Sequence, residues 1–130
     1  MSHDLFEAAR DAMVHAHAPY SKFPVGAAIR ADDDKIYTGA NIENISFPQG
    51  WCAEPTAISL MIMGGARRIV EMAVIAEKMP LCPPCGGCRQ KISEFASKDT
   101  KIYLCDEVGV KKTMTMEELL PASFETEVLG

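Results

Sequence analysis

Between Ile69 and Cys105 the chain reads as strand, helix, strand, and no other stretch limits the fold as tightly. Ile69-Val-Glu-Met-Ala-Val-Ile-Ala76 is rich in the apolar and β-branched residues that fill a buried strand. From Cys85 to Ala96, Cys88, Ile92 and Phe95 or Ala96 recur along one helical stripe. Lys101-Ile-Tyr-Leu-Cys105 is again a strand. Two strands joined through a helix run parallel in one sheet, with a right-handed crossover. The class that follows is α/β, a mixed sheet with helices packed on it. At 130 residues the expectation is one domain spanning 1–130, large enough to bury a core without disulfides.

The other elements are arranged around that unit. A helix is expected from Asp4, with Glu7 at capping-box spacing, until Pro19 forbids continuation. Tyr20 to Ile29 holds small residues suited to close backbone approach, in a strand or loop. Asp32-Asp33-Asp34 reads as a hairpin turn leading into a strand from Lys35 to Glu43. Cys52 to Met63 is apolar on most positions and reads as a buried helix, with Pro55 in its first turn and Gly64-Gly65 as its stop. Pro80 to Pro84 is a rigid loop. Thr115 opens a last short helix, with Glu118 at capping-box spacing and Pro121 beyond.

The cysteines carry the chemistry. Cys85 and Cys88 are spaced so that both thiols can point at one ion, and Cys52 is a third, distant thiol. If Cys52 and Cys85 both stand at helix N-termini, unpaired backbone N–H groups and the helix dipole stabilise thiolate, the form that binds metal. Three thiolates leave one corner of a zinc tetrahedron open for water, and Glu54 stands next to that corner as a candidate proton carrier. Each residue also has an ordinary reading. The pair Cys85-Gly-Gly-Cys88 could be a redox dithiol, and Glu54 could simply complement a helix dipole. Cys82 extends the run to C-x-x-C-x-x-C, but an iron–sulfur pattern needs a fourth cysteine before a proline, so Cys82 reads as a loop thiol. Cys105 reads as a small buried hydrophobe. His15 and His17, two residues apart near a helix end, do not face the same way and read as dipole partners rather than ligands. In Asn41-Ile42-Glu43, an inward Ile42 would leave Asn41 and Glu43 side by side on the opposite face. Such a pair could clamp a diol such as ribose, although on pattern alone it is an ordinary polar strand face.

Charge narrows the partners. A net charge of -5 and a pI of about 5.1, with Lys and Arg in isolated pairs, do not suit a nucleic acid polymer, which needs clustered cations. No apolar run reaches the length of a membrane span and no export signal is visible, so a reducing, cytoplasmic setting is expected, in which clustered cysteines favour metal over disulfides.

Cys52-Ala53-Glu54 and Pro84-Cys85-Gly86-Gly87-Cys88-Arg89-Gln90 resemble the zinc motifs of the small, homotetrameric class of cytidine deaminase. Pro19-Tyr-Ser-Lys-Phe-Pro-Val-Gly-Ala-Ala28, Thr38-Gly-Ala-Asn-Ile-Glu-Asn44 and Leu119-Leu-Pro-Ala-Ser-Phe124 match that family at corresponding places, so the resemblance runs from about residue 5 to residue 124. It implies a three-layer fold, with a mixed five-stranded sheet and helices on both faces. It implies one zinc ion per subunit held by Cys52, Cys85 and Cys88, and Glu54 as the catalytic proton shuttle for a water that attacks C4 of cytosine. Asn41 and Glu43 would bind the ribose hydroxyls, Phe23 would line the pyrimidine pocket, and the Ala53 amide would contact the base carbonyl. Phe124 would reach into the site of a neighbouring subunit of a homotetramer. The implied reaction is hydrolysis of cytidine and 2′-deoxycytidine to uridine and 2′-deoxyuridine with release of ammonia, a step of pyrimidine salvage.

One position departs from the pattern. The family usually has arginine directly after the glutamate, where this chain has Pro55. That arginine offsets the negative charge of three thiolates, and without it Arg89 and the two helix dipoles are the remaining compensators. Two other readings stay open: a related deaminase of another substrate, such as blasticidin S, and a non-enzymatic zinc-binding module. The second would need a fourth protein ligand.

Overall fold

The computed structural model describes residues 2–79 and 81–124. Helix α1 (Ser2–Met13) is followed by strands β1 (Val25–Ala31) and β2 (Ile36–Ala40), a 3-10 turn at Phe47–Gln49, helix α2 (Ala53–Met63) and strand β3 (Ile69–Ala76). Helix α3 (Gly86–Phe95), strands β4 (Lys101–Cys105) and β5 (Val110–Thr115), and the short helix α4 (Met116–Leu119) complete the order. The strands form one sheet in the order β2-β1-β3-β4-β5. Strands β3 and β4 are parallel, Glu71 facing Lys101 and Ile75 facing Cys105, and every other pairing is antiparallel. The mixed sheet and the parallel crossover through α3 are those expected from the sequence.

Side chains alternate across the sheet and so build two cores. On one face Leu5, Phe6, Ala9 and Met13 of α1 pack against Ala28, Ala73, Ile75 and Cys105. On the other, Ala53, Ala57, Ile58 and Met61 of α2 and Ile92 of α3 pack against Ala27, Ile29, Met72, Val74, Ile102 and Leu104. Burying a side chain of the size of Leu5 or Ile29 contributes about 2 kcal/mol, so these two layers carry most of the stabilisation. Two glycines let the helices close in. A Cβ on Gly26 would stand 2.8 Å from the Met13 backbone nitrogen of α1, and one on Gly39 would stand 2.7 Å from the Ala57 nitrogen of α2.

Several local expectations need correcting. The sheet has the five strands that the resemblance implies, and β5 is the one that no stretch of the sequence signals directly. The α1 helix begins at Ser2, so Asp4 lies inside its first turn, and the Asp4 carboxylate accepts from Arg30 Nη2 at 2.6 Å instead of capping the helix. Arg30 Nε donates to Glu71 at 2.9 Å, and Tyr103 Oη donates to the other Glu71 oxygen at 2.7 Å, so one polar chain crosses the sheet beneath α1. Helix α2 is not buried all round, since Leu60 is 49% exposed and Met63 83% exposed. The strand after the hairpin stops at Ala40, before Asn41. Of the loop expected over Pro80–Pro84, Pro80 lies outside the described residues. The capping box at Thr115 and Glu118 is formed in both directions.

Candidate active site

Cys52 is the N-cap residue of α2 and Cys85 the N-cap residue of α3, both with extended backbone. Neither side chain caps its own helix. Each thiol is therefore free to face the other while standing at the positive end of a helix. Cys88, one turn into α3, is buried and completes the group. The sulfurs of Cys52, Cys85 and Cys88 lie within 4.8 Å of one another. Three soft donors converging at two helix N-termini fit a zinc ion, with one tetrahedral corner left to water or substrate. The Cys82 thiol is directed at the Pro83 carbonyl, near enough to feel the charges of Glu54 and Cys85, but neither Cys82 nor either of His15 and His17 belongs to the group.

The three sulfurs share protons unevenly. Hydrogen bonding from Cys88, then from Cys85, and the field of Lys91 bring the Cys52 thiol down to about 6. Cys88 is correspondingly pushed up, first by the bond it gives Cys52 and then by burial. Burial also raises the Cys82 thiol. Glu54, in the first turn of α2, is only 4% exposed. Its carboxyl is raised to about 7, chiefly by burial and also by the nearby Cys52 charge. A carboxyl that titrates near neutrality can both take and give a proton.

Asn41 and Glu43 reach this neighbourhood through backbone pairing. The Ile42 amide donates to the Trp51 carbonyl at 2.9 Å and the Trp51 amide donates back at 2.8 Å, so the segment is fastened to the residue before Cys52. On its other side the Glu43 amide donates to the His17 carbonyl at 2.7 Å. The alternation expected from the sequence holds, but its sense is reversed: Ile42 is 52% exposed, and Asn41 and Glu43 are the half-buried pair. Their side chains grip the loop before β1. Asn41 Oδ1 accepts from the Val25 amide at 2.8 Å and Nδ2 donates to the Phe23 carbonyl at 2.9 Å. The Glu43 carboxylate accepts from the Tyr20 amide at 3.0 Å, the Ser21 amide at 3.1 Å and the Ser21 hydroxyl. These donors hold the Glu43 carboxyl below its ordinary value, the Ser21 hydroxyl most of all. Glu43 also lines a recess of about 290 Å³ with Tyr20, Ser21, Asn44, Phe47 and Gly50.

The remaining expected residues are distributed as follows. Ala53 is the first residue of α2, where its amide is one of the helix's unpaired donors. Phe23 is half-buried in the loop held by Asn41. Phe124 is 62% exposed and lines a separate recess with Met116, Leu120 and Pro121, so its own chain does not bring it to the sulfurs. Pro55 is buried in the first turn of α2. Arg89 does not face the thiols: Nε donates to the Pro84 carbonyl at 2.8 Å and Nη1 to the Leu119 carbonyl at 2.9 Å. It braces the loop before α3 against α4. Lys91, which sequence reasoning missed, stands three residues after Cys88 on α3, and its Nζ lies 4.7 Å from the centroid of the Trp51 ring.

A family model described as the cytidine and deoxycytidylate deaminase zinc-binding region matches residues 1–104. A cytidine deaminase of Halalkalibacterium halodurans is 42% identical over 123 residues, covering 95% of this chain and 93% of that protein. One from Sporosarcina psychrophila is 41% identical over 126 residues, covering 97% and 93%. The crystal structure of cytidine deaminase from Burkholderia pseudomallei aligns with a TM-score of 0.87 at 36% identity, covering 93% of this chain and 97% of that chain.

Proposed function

The chain belongs to the cytidine and deoxycytidylate deaminase family, and from that premise we propose that it hydrolyses cytidine and 2′-deoxycytidine to uridine and 2′-deoxyuridine, releasing ammonia. The observation that carries this reading is the buried Glu54 carboxyl on the same helix end as Cys52, next to the three-sulfur group.

Zinc held by Cys52, Cys85 and Cys88 would supply a Lewis acid with an open position at which water becomes a nucleophile at neutral pH. Glu54 moves the protons. It takes one from the attacking water and delivers it to N3 of the base as the C–O bond forms at C4. It then carries the second water proton to the amino group as the C4–N4 bond breaks, so ammonia leaves and the carbonyl of uridine remains. The Ala53 amide orients the base by donating to its carbonyl. Asn41 and Glu43 hold the sugar hydroxyls, and Phe23 lies against the pyrimidine. Their present bonds to the Tyr20–Val25 loop give them a fixed orientation at low entropic cost on binding.

The finer assembly also belongs to this proposal. An apolar helix with Leu60 and Met63 exposed, and exposed Ile42, Ile45, Phe47 and Trp51 beside it, is suited to burial against other copies of the chain. In the homotetramer we infer, Phe124 of one subunit closes the site of another. No helix among the described residues is long and apolar enough to cross a membrane, and thiols that must stay reduced to bind metal suit the cytoplasm.

The purified protein, incubated with cytidine, 2′-deoxycytidine, cytosine and blasticidin S, is assayed for ammonia release and zinc content. One zinc per chain with turnover of the two nucleosides is expected. Bound zinc without turnover of any of the four overturns the proposal, and turnover of blasticidin S alone reassigns the substrate.

A further inference from the structure

The two oxygens of the Glu43 carboxylate are held differently. Oε1 accepts from the Tyr20 amide at 3.0 Å and from the Ser21 amide at 3.1 Å, which fills both of its acceptor positions. Oε2 accepts from the Ser21 hydroxyl and, among the described residues, from no other donor. One acceptor position on Oε2 therefore stays open. The Ser21 hydroxyl is itself aimed: its oxygen accepts from the Phe23 amide at 3.0 Å, and its single proton goes to Oε2. Phe23 does not depend on this hydroxyl for its place, because Asn41 separately binds the Phe23 carbonyl and the Val25 amide. Ser21 and Glu43 both line the recess of about 290 Å³, together with the Tyr20 and Phe47 rings, whose centroids stand 5.7 Å apart.

We propose that Ser21 is a positioning residue for the sugar, holding Glu43 so that the open side of Oε2 meets a ribose hydroxyl. The inference rests on the reading of Glu43 as a sugar-binding residue. Its physical basis is orientation. The terminal torsion of a glutamate side chain is broad, so a carboxylate anchored through Oε1 alone can still swing about that anchor. Donation from Ser21 to the second oxygen fixes the plane of the group. An acceptor already oriented binds a hydroxyl at lower entropic cost than one that must be ordered on binding. The same donors hold the Glu43 carboxyl below its ordinary value, so the acceptor carries charge and its hydrogen bonds are stronger for it. Ser21 acts through Glu43.

The test is steady-state kinetics of the full chain on cytidine, with 2′,3′-dideoxycytidine, which lacks the 2′ and 3′ hydroxyls, as a competing inhibitor. Ser21 is exposed and belongs to neither core, so variants there should fold as the parent does. Ser21→Ala should raise the KM for cytidine about five- to twentyfold, with kcat within about twofold. Ser21→Thr restores a hydroxyl and should bring KM back to within about threefold of the parent. The inhibition constant of dideoxycytidine should differ by less than about twofold between Ser21→Ala and the parent, because no sugar hydroxyl is left to sense Glu43. In a Glu43→Ala background, Ser21→Ala should add nothing to KM. An equal penalty on cytidine and dideoxycytidine overturns the inference, since a loosened loop would then be the cause. So does an unchanged KM for Ser21→Ala, a Ser21→Thr as weak as Ser21→Ala, or the full penalty in the Glu43→Ala background. In each of these cases a raised KM for Glu43→Ala alone leaves the sugar reading standing. A Glu43→Ala KM equal to that of the parent overturns both, as does a parent protein that does not turn over cytidine.

Discussion

Asn41 donates through Nδ2 to the carbonyl of Phe23 at 2.9 Å, which ties the residue proposed to hold the sugar to the residue proposed to lie against the base. With the bond its Oδ1 accepts from the Val25 amide, Asn41 fixes the loop that carries Phe23. Asn41→Ala removes two part-buried hydrogen bonds, each worth about 1 kcal/mol. A loss of about 2 kcal/mol in urea unfolding is expected, with a KM for cytidine raised at least about tenfold. Zinc content should not change. A normal KM in a loosened protein would remove Asn41 from substrate binding.

Glu54→Gln separates proton transfer from folding. The amide is nearly the same size and sits at a buried position on α2, so fold and zinc content should be kept. It cannot carry a proton, and loss of a general acid–base costs about 10²–10⁴ in rate. The measurement is ammonia release per zinc-loaded chain. Activity within tenfold of the parent would assign the proton transfers elsewhere.

The pattern of what the sequence made legible has physical causes. Strands β3 and β4 and helix α3 were readable because both strands are buried and α3 carries its apolar stripe at helical spacing. Strand β5 is an edge strand paired only with β4, and its exposed Lys111, Lys112 and Thr113 dilute any apolar alternation. The Asp4 capping expectation failed because the carboxylate's partner, Arg30, lies on another element. Alternation correctly put Asn41 and Glu43 on one side. It gave the wrong sense, because short backbone bridges to His17 and Trp51, not a core strand, set the orientation of Ile42. The cysteine group was legible from spacing and helix starts. The Lys91 contact with Trp51 was not, because it joins residues distant in sequence.

The Arg30 network makes a pH-dependent contribution. Hydrogen bonding and charge from Arg30 hold the Asp4 carboxyl below its ordinary 3.8. A carboxyl lowered in the folded state contributes stability above the unfolded value, and that contribution is lost as pH falls through the folded value. Asp4 has a side chain 52% exposed, so solvent screening keeps the effect near about 0.5 kcal/mol. Asp4→Asn should be less stable than the parent by that amount at pH 7, and the two unfolding midpoints should converge in acid. A constant difference across the range would mean that Asp4 acts by packing instead of charge.

The position of α2 against β2 depends on Gly39. In the register of the sheet Gly39 faces Ala27, on the side covered by α2. A side chain there would press on the Ala53 carbonyl oxygen and stand 2.7 Å from the Ala57 nitrogen, both of them helix backbone. Gly39→Ala gains a little from reduced freedom of the unfolded chain, about 0.4–1 kcal/mol. The clash should outweigh that, for a net loss of about 1–3 kcal/mol, because a helix backbone cannot rotate away as a side chain can. Cys52 caps helix α2 and Glu54 lies in its first turn, so displacement of α2 moves one sulfur and the proposed proton carrier together. Zinc affinity and turnover should therefore fall in parallel with stability. Gly109→Ala is the control, since a Cβ there meets nothing within 4 Å. If Gly39→Ala lowers stability but leaves zinc binding and rate as in Gly109→Ala, the site tolerates movement of α2, and the glycine serves packing alone.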